Sequence, residues 1–187
     1  MIRWLLLFFG GALLGGIVHL ATVIILPRTA TQDAYARLAR IAQVNTVTPL
    51  PMPTPENATM PFMDPAFASA VCPYELSQGP LKLTVPVSLA YTSISFYTRY
   101  DVAYYAINDR AAGRRVIELD LMTVDQHNQM PEDEDVTAAD RLIVDSPTLT
   151  GLIAIRALAP EAGLLPMAQN TIAGAQCRRK AETKPAR

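Results

Sequence analysis

Residues 93–107 read SISFYTRYDVAYYAI, and this stretch decides the fold class of the chain. On both sides of Tyr100-Asp101, apolar or aromatic side chains alternate with polar or small ones, as in two half-buried strands joined by a turn. Four further segments have the same period of two: LKLTVPV (81–87), RVIELDLM (115–122), RLIVDS (141–146) and GLIAIRAL (151–158). The sequence therefore predicts a mainly β domain over residues 66–177.

Turn-prone clusters separate these segments and indicate how the strands connect. The turn around Tyr100-Asp101 and the NDRAAG cluster at 108–113 both predict hairpins, so we expect a largely antiparallel sheet. Pro86 predicts that its strand lies at an edge of the sheet or ends there.

Six aromatic residues are concentrated in and around the opening stretch. They are Tyr91, Phe96, Tyr97, Tyr100, Tyr104 and Tyr105. They are candidates to line an apolar ligand pocket between sheets. Cross-strand packing is the more common reason for such a cluster, because aromatic side chains favour strands and pair across them.

The amino-terminal segment, IRWLLLFFGGALLGGIVHLATVIILP (2–27), is apolar, and residues 4–26 carry no charge. A helix over residues 4–26 would rise roughly 34 Å, which exceeds the hydrocarbon core of about 30 Å. The apolar run continues to Pro27, whereas a cleaved signal has a shorter apolar region followed by a small-residue site. We predict an uncleaved transmembrane anchor over residues 1–27.

Small residues four positions apart give the anchor a face that another helix could approach closely. The pairs are Gly11 with Gly15 and Ala12 with Gly16. Small residues are also frequent in membrane helices that have no specific partner. His19 is the ionisable residue within the span, and we expect it to be neutral and to face a partner.

Three segments outside the β domain and one helix at its end complete the predicted organisation. Residues 28–48 have helical spacing and predict a juxtamembrane helix, whereas the alternating prolines of residues 49–65 predict an extended linker, which could also lie along the domain or a partner. Residues 160–177 predict a carboxy-terminal helix, and residues 178–187 form a basic tail.

The sequence offers little catalytic chemistry. His127 has no accompanying GxSxG turn, and the acidic stretch DQHNQMPEDEDV (125–136) lacks the glycine and glutamate of a calcium-binding EF-hand loop. We predict no catalytic residues, no metal site and no cofactor. The net charge of −1 gives no general attraction for nucleic acid, so nucleic-acid binding is disfavoured.

Cys72 and Cys177 lie near opposite ends of the β domain. In an oxidising compartment they are candidates for one disulfide, which would close a loop of about 100 residues and contribute up to about 4–5 kcal/mol. Two free thiols are the alternative, although a free thiol is a liability in such a compartment.

Three segments together resemble the family of domain of unknown function 1254. They are MDPAFASAVCPYELSQGPLKLTVPV (63–87), SISFYTRYDVAYYAI (93–107) and RLIVDSPTLTGLIAIRAL (141–158). The resemblance implies an antiparallel β-sandwich-like domain, often found beside a second domain of unknown function, 1214. That companion would then be a separate chain or be absent. Many relatives have Asn-Asp-Thr followed by Tyr where this chain has Met63-Asp64-Pro65-Ala66, so only Asp64 is shared.

The orientation of the anchor is indicated by conflicting signals. Arg28, Arg37 and Arg40 follow the anchor while Arg3 precedes it, which would keep the large domain in the cytoplasm. The two cysteines, the lack of a nucleotide-binding signature and the family resemblance favour export, and long domains translocate despite their charge. We predict a single-pass inner-membrane protein whose large domain is periplasmic.

These observations give three functional hypotheses. The first is an interaction module or assembly subunit of the cell envelope, with membrane lipid and a protein partner, the latter a candidate chain carrying the 1214 domain. The second is a module that binds a lipid or small apolar ligand among the six aromatic residues. A hydrolase or metal-dependent enzyme is the least supported, since it would need His127 or the acidic stretch to meet another polar group in a cleft.

Overall fold

The computed structural model describes residues 1–29, 33–113, 115–130 and 142–180, and the chain divides into two compact units. The first unit, Met1–Asp33, consists of helix α1, Ile2–Thr29. Its segment Ile2–Leu26 is long and apolar enough to cross a membrane. This matches the apolar segment from which the anchor is predicted.

The second unit, Ala34–Arg187, is built mainly of β-strands. Its described part contains these elements in chain order: α2 (Ala34–Leu38), β1 (Thr48–Pro49), β2 (Phe67–Glu75), β3 (Leu81–Pro86), β4 (Thr92–Thr98), β5 (Ala103–Asn108), α3 (Asp109–Ala112), β6 (Val116–Thr123), α4 (Val124–Asn128), β7 (Leu142–Ser146), β8 (Thr150–Leu158), a 3-10 turn (Ala162–Leu164), α5 (Leu165–Ala173) and β9 (Gln176–Arg179).

The strands form two sheets. The five-stranded sheet has the order β1-β2-β8-β4-β5, and the four-stranded sheet has the order β7-β6-β3-β9. Among the described strands, β6 and β7 pair in parallel and all other neighbours pair antiparallel. The mainly β, largely antiparallel architecture that the sequence predicts is confirmed, and so is the helix near the carboxy terminus, α5.

The main core lies between the two sheets and follows the period-two pattern. In β4, Ile94 and Phe96 are fully buried, while Ser95 between them is half-buried. The same alternation buries Leu81, Leu83 and Val85 of β3. Because successive side chains point to opposite faces of a strand, one face of each strand supplies this core.

One predicted hairpin is confirmed and the other is wrong. β4 and β5 pair across the Tyr100-Asp101 turn, but β5 and β6 belong to different sheets. Between them, Asn108 caps the amino terminus of α3 and Gly113 ends it in the left-handed conformation. Asn and Gly serve as helix caps as well as hairpin residues, so the same letters here encode a helical turn that carries the chain between sheets.

A short helix, turns and the proline-rich segment precede β2. Among the described residues of 28–48, α1 ends at Thr29, α2 spans Ala34–Leu38, and turns lead from α2 to Asn45, whose φ is 58°. The Asn45 side-chain oxygen accepts from the Glu75 N–H at 2.9 Å, which fixes the chain against β2. Residues 49–65 do not project as a free spacer: the Leu50 N–H donates to the Ser69 carbonyl at 2.8 Å. This hydrogen bond holds the start of the segment along β2.

The end of the chain also joins the sheet. Pro86 stands at the last position of β3, as its lack of an N–H suggests. Arg178 and Arg179, the first residues of the predicted basic tail, belong to β9, which pairs with β3. Residues 181–187 lie outside the described residues.

Candidate functional site

The outer face of the five-stranded sheet carries a second, smaller apolar cluster. Val71 of β2 and Leu152 of β8 point away from the main core and are almost fully buried. Leu38 and Ala42 cover them, and partly buried side chains pack around them: Tyr35, Leu50, Met60 and Tyr97. The sheet is therefore covered on both faces, by α5 and the other sheet on one side and by α2 and the proline-rich segment on the other.

A pocket of about 390 Å³ lies between this outer face and its cover. The floor is formed by alternate residues of three strands: Ser69, Val71, Tyr97, Leu152, Ala154 and Arg156. The cover contributes these residues: Ala34, Leu38, Leu50, Met60, Pro61, Phe62, Met63 and Asp64. The lining is mostly apolar, and the volume falls in the range of small-molecule pockets, about 300–1,000 Å³.

The hairpin between β4 and β5 holds α2 in place over the pocket. The Ala34 N–H donates to the Asp101 Oδ2 atom at 3.1 Å, which satisfies a free donor at the start of the helix. The Arg99 guanidinium lies 4.4 Å from the centre of the Tyr35 ring, as in a cation–π contact. Asp101 has a φ of 59°, a conformation that Asp and Asn adopt more readily than most residues.

The proline-rich segment forms the rim of the pocket. Phe62 lines the pocket with a fully exposed side chain, and its φ of 60° is rare for a bulky residue. Such backbone strain costs about 1–3 kcal/mol and concentrates at ligand clamps and functional sites. Next to it, Asp64 Oδ1 accepts from the Ala66 N–H at 2.9 Å. The rim thus combines a strained, exposed aromatic residue with the carboxylate of Asp64, the residue of this segment that matches the family pattern.

The structure divides the six aromatic candidates between several places. Tyr97 lines the pocket. Phe96 lies in the main core, with its ring centre 6.2 Å from that of Tyr104 and 5.8 Å from that of Tyr105. Tyr91 precedes β4 and is half-buried, whereas Tyr100 is exposed in the hairpin turn. The rings of Phe96, Tyr104 and Tyr105 therefore pack against one another across β4 and β5.

A group of hydroxyls lies beside these rings, within hydrogen-bond distance of one another. The Tyr74 hydroxyl is 2.9 Å from Ser146 Oγ, 3.1 Å from the Tyr104 hydroxyl and 3.3 Å from the Tyr97 carbonyl oxygen. Burial raises the pKa of the Tyr104 hydroxyl, and its hydrogen bond to Tyr74 raises that pKa further. The partners of the Tyr74 hydroxyl are two hydroxyls and a carbonyl oxygen, and none of them is a base that would activate a nucleophile.

Gly151 makes room for this hydroxyl group. A Cβ atom at position 151 would lie 2.5 Å from Tyr74 Cζ and closer still to the Tyr97 carbonyl oxygen. Real Cβ atoms do not approach other heavy atoms so closely. The glycine is therefore needed for β8 to pass between β4 and the Tyr74 side chain.

Cys72 of β2 and Cys177 of β9 are joined in a disulfide. Both are buried, and they connect the five-stranded sheet to the four-stranded sheet. The bond therefore ties the last described strand to the centre of the domain.

The remaining candidate residues do not form a catalytic site in the part of the chain that the structure describes. His127 Nδ1 lies 2.9 Å from Asp145 Oδ1 at the surface. No group of three or more His, Cys, Asp or Glu residues that could hold a metal occurs among the described residues, and residues 131–136 of the acidic stretch lie outside them. The small residues of the anchor are exposed on α1: Gly11, Ala12, Gly15 and Gly16.

The sequence analysis does not predict this pocket, because it treats each strand as covered on one face only. GLIAIRAL is apolar at consecutive positions, from Leu152 to Ile155, and consecutive apolar residues are typical of a strand covered on both faces. That signal was available in the sequence. The residues that cover the outer face were not identifiable, because contacts such as Met60 against the sheet have no local pattern.

The described domain matches a known family in sequence and a solved protein in structure. The family described as "Protein of unknown function (DUF1254)" matches residues 44–179. No curated protein matches the chain. The structure is similar to that of the VPA0106 protein from Vibrio parahaemolyticus, with a TM-score of 0.58 and 13% identity over 82% of this chain and 36% of that one.

A second solved structure, of an uncharacterized protein from Burkholderia cenocepacia, has a TM-score of 0.46 and 14% identity over 65% of this chain and 34% of that one. This chain spans about a third of the length of each solved protein. At these identities the likeness to the Vibrio protein shows the fold alone.

Proposed function

We propose a function that rests on the pocket itself, because the chain belongs to the DUF1254 family and the description of that family assigns no activity. The protein is a membrane-anchored domain that binds a small apolar molecule between the outer face of the five-stranded sheet and the proline-rich segment. This develops the hypothesis of an apolar-ligand module, with a different set of lining residues from the aromatic cluster.

The observation that carries this proposal is the composition of the pocket. Its floor places Val71 of β2 opposite its register partner Ala154 of β8, with Leu152 two residues away on β8, while Met60 and Leu50 line the pocket from the cover. A hydrophobic pocket of this size offers more stabilisation to an apolar ligand than to water, since each square ångström of apolar surface removed from water contributes about 25 cal/mol.

The proposed location is the periplasmic side of the inner membrane. The helix Ile2–Leu26 supplies a candidate anchor, and the Cys72–Cys177 disulfide supports an oxidising compartment, since such bonds are rare in the cytoplasm. A domain held beside the bilayer by this anchor would meet apolar molecules that leave or enter the membrane. Labelling of a single engineered surface cysteine with a membrane-impermeant reagent in intact cells tests this orientation; absence of labelling before lysis would contradict it.

The pocket is tested by filling it. We expect Ala154→Phe to reduce binding of decanol, a neutral apolar probe, by at least about tenfold, because the new ring occupies the floor. Binding is measured by isothermal titration calorimetry on the full chain in lipid nanodiscs, with empty nanodiscs as the blank. Ala173→Phe, at an exposed position of α5 that does not line the pocket, is the matched control. Equal binding by the two variants would overturn the proposal.

A second function, docking of a protein partner, is favoured by strand β5. Among the described strands, β5 has one neighbour in its sheet, β4. Residues 102–108 contain no charge and no proline, which natural edge strands commonly use to prevent pairing. An extended segment of another protein could add to this edge. A separate chain carrying the domain of unknown function 1214 is the first candidate for that partner.

This second function is tested by placing a charge on the edge. Ala106 of β5 is exposed, so Ala106→Lys should remove a stoichiometric partner seen by native mass spectrometry of the chain purified in mild detergent. Ala90→Lys, in the exposed loop before β4, is the control for added charge. A partner retained by both variants would exclude β5 as the docking edge.

A further inference from the structure

The outer face of β8 places the Arg156 guanidinium at one end of the pocket, whereas the Asp101 carboxylate lies beside the start of α2 at the other end. Along this face of β8 the pocket is lined in chain order by Leu152, Ala154 and Arg156. Leu152 is almost fully buried. At about 3.3–3.4 Å per residue, the backbone positions of Arg156 and Leu152 are roughly 13 Å apart. The pocket therefore runs from an exposed cation to the apolar cluster beneath α2.

Arg156 is the group at that end with unused hydrogen-bonding capacity. Within the described residues its guanidinium makes no hydrogen bond or ion pair, although it has five N–H donors in a planar fork. The pocket also contains two carboxylates: the Asp101 carboxylate accepts from the Ala34 N–H, and the Asp64 carboxylate accepts from the Ala66 N–H.

Ser69 extends this polar end across the sheet. It is the register partner of Arg156 on β2, and it lines the pocket beside it. Directly opposed residues in an antiparallel pair have Cβ atoms about 4.5–5.5 Å apart, so a group bound to the guanidinium would also lie within reach of the Ser69 hydroxyl. Guanidinium and hydroxyl donors together suit a carboxylate or phosphate.

We infer that the ligand is a single-chain amphiphile with an anionic head, bound with its head at Arg156 and Ser69 and its chain along Ala154 toward Leu152. The inference rests on the proposed function of the pocket and adds the class of the ligand. The unused guanidinium donors of Arg156 select the anionic head, and the apolar floor selects the chain. A neutral apolar molecule would fill the same floor and leave the guanidinium without a partner.

The test compares two probes with the same chain, decanoate and decanol, by calorimetry on the full chain in nanodiscs with empty nanodiscs as the blank. We expect the wild-type chain to bind decanoate about tenfold more tightly, a factor typical of one hydrogen-bonded charge at a partly exposed site. Arg156→Gln should abolish this preference. Arg156→Lys should restore part of it, because lysine keeps the charge and loses the fork.

Arg178→Gln is the matched control, since Arg178 is an exposed arginine of β9 that does not line the pocket. It should keep the wild-type preference. Decyl phosphate is the third probe: tighter binding than decanoate would support a lipid phosphate as the head, and weaker binding would support a carboxylate.

The outcomes separate the two proposals. If both probes bind the wild-type chain equally, or if Arg156→Gln keeps the preference for decanoate, the anionic head is refuted while the apolar pocket stands. If neither probe binds and Ala154→Phe changes nothing, the pocket itself is refuted, and the inference falls with it.

Discussion

Breaking the disulfide between Cys72 and Cys177 should lower the free energy of unfolding of the β domain by about 4–5 kcal/mol. The two cysteines are 105 residues apart in the chain. Without the bond, the unfolded chain regains the conformational entropy of a loop of that length, which is worth about 4.7 kcal/mol at 25 °C for a 100-residue loop. Natural domains are stable by about 5–15 kcal/mol, so the loss would be a large fraction of the total.

Urea unfolding of the full chain in nanodiscs, followed by the near-ultraviolet circular dichroism of its tyrosines, measures this loss. With a slope of about 2 kcal/mol per molar urea, reduction should shift the unfolding midpoint by about 2 M. The double variant Cys72→Ala with Cys177→Ala should unfold near the reduced wild-type chain and respond no further to reductant. Because both side chains are buried, any extra loss in that variant measures the two small cavities. A midpoint that reduction leaves unchanged would refute the entropic argument.

Three further predictions concern single residues of the domain. Gly151→Ala should destabilise the domain by about 2–4 kcal/mol in the same urea assay, because its Cβ collides with the Tyr97 carbonyl; a change below about 0.5 kcal/mol would show that β8 can shift. Asp101→Ala should cost about 1–2 kcal/mol and increase amide hydrogen exchange at Ala34, whereas Asp101→Asn, which keeps an acceptor and tolerates the positive φ, should cost less; equal costs would contradict a capping role. Burial raises the pKa of Tyr104 above its usual value of about 10, so the unfolded chain loses that proton first and stability should fall as the pH rises above about 10; Tyr104→Phe should flatten this fall, and an unchanged pH profile would argue against it.

The strands were predictable because their information is local. In β4, Ile94 and Phe96 face the core at every second position, and this spacing is visible in the sequence before any partner is known. The same holds for β3, where Pro86 marks the end. The β4–β5 hairpin was also predictable, since its turn lies directly between two strands of matching pattern.

The connection after β5 was not predictable, because the information that decides it is not local. Asn108 and Gly113 are favoured both in hairpin turns and at helix ends, so their identities do not say whether the chain returns to its sheet or leaves it. The choice depends on which sheet has a free position beside β3. That position is defined only after the distant strands have paired.

The site follows the same division between local and distant information. Local pattern determined the apolar helix Ile2–Leu26, the mainly β fold and the presence of two cysteines that could pair. The consecutive apolar residues from Leu152 to Ile155 of β8 are also visible in the sequence. Only the tertiary structure decided that residues 49–65 lie back over the outer face of the five-stranded sheet, so that Met60 and Arg156 line one pocket. The physical reason is that such packing depends on shape and apolar surface supplied by segments far apart in the chain, whereas alternation along a strand is imposed on each residue by the backbone itself.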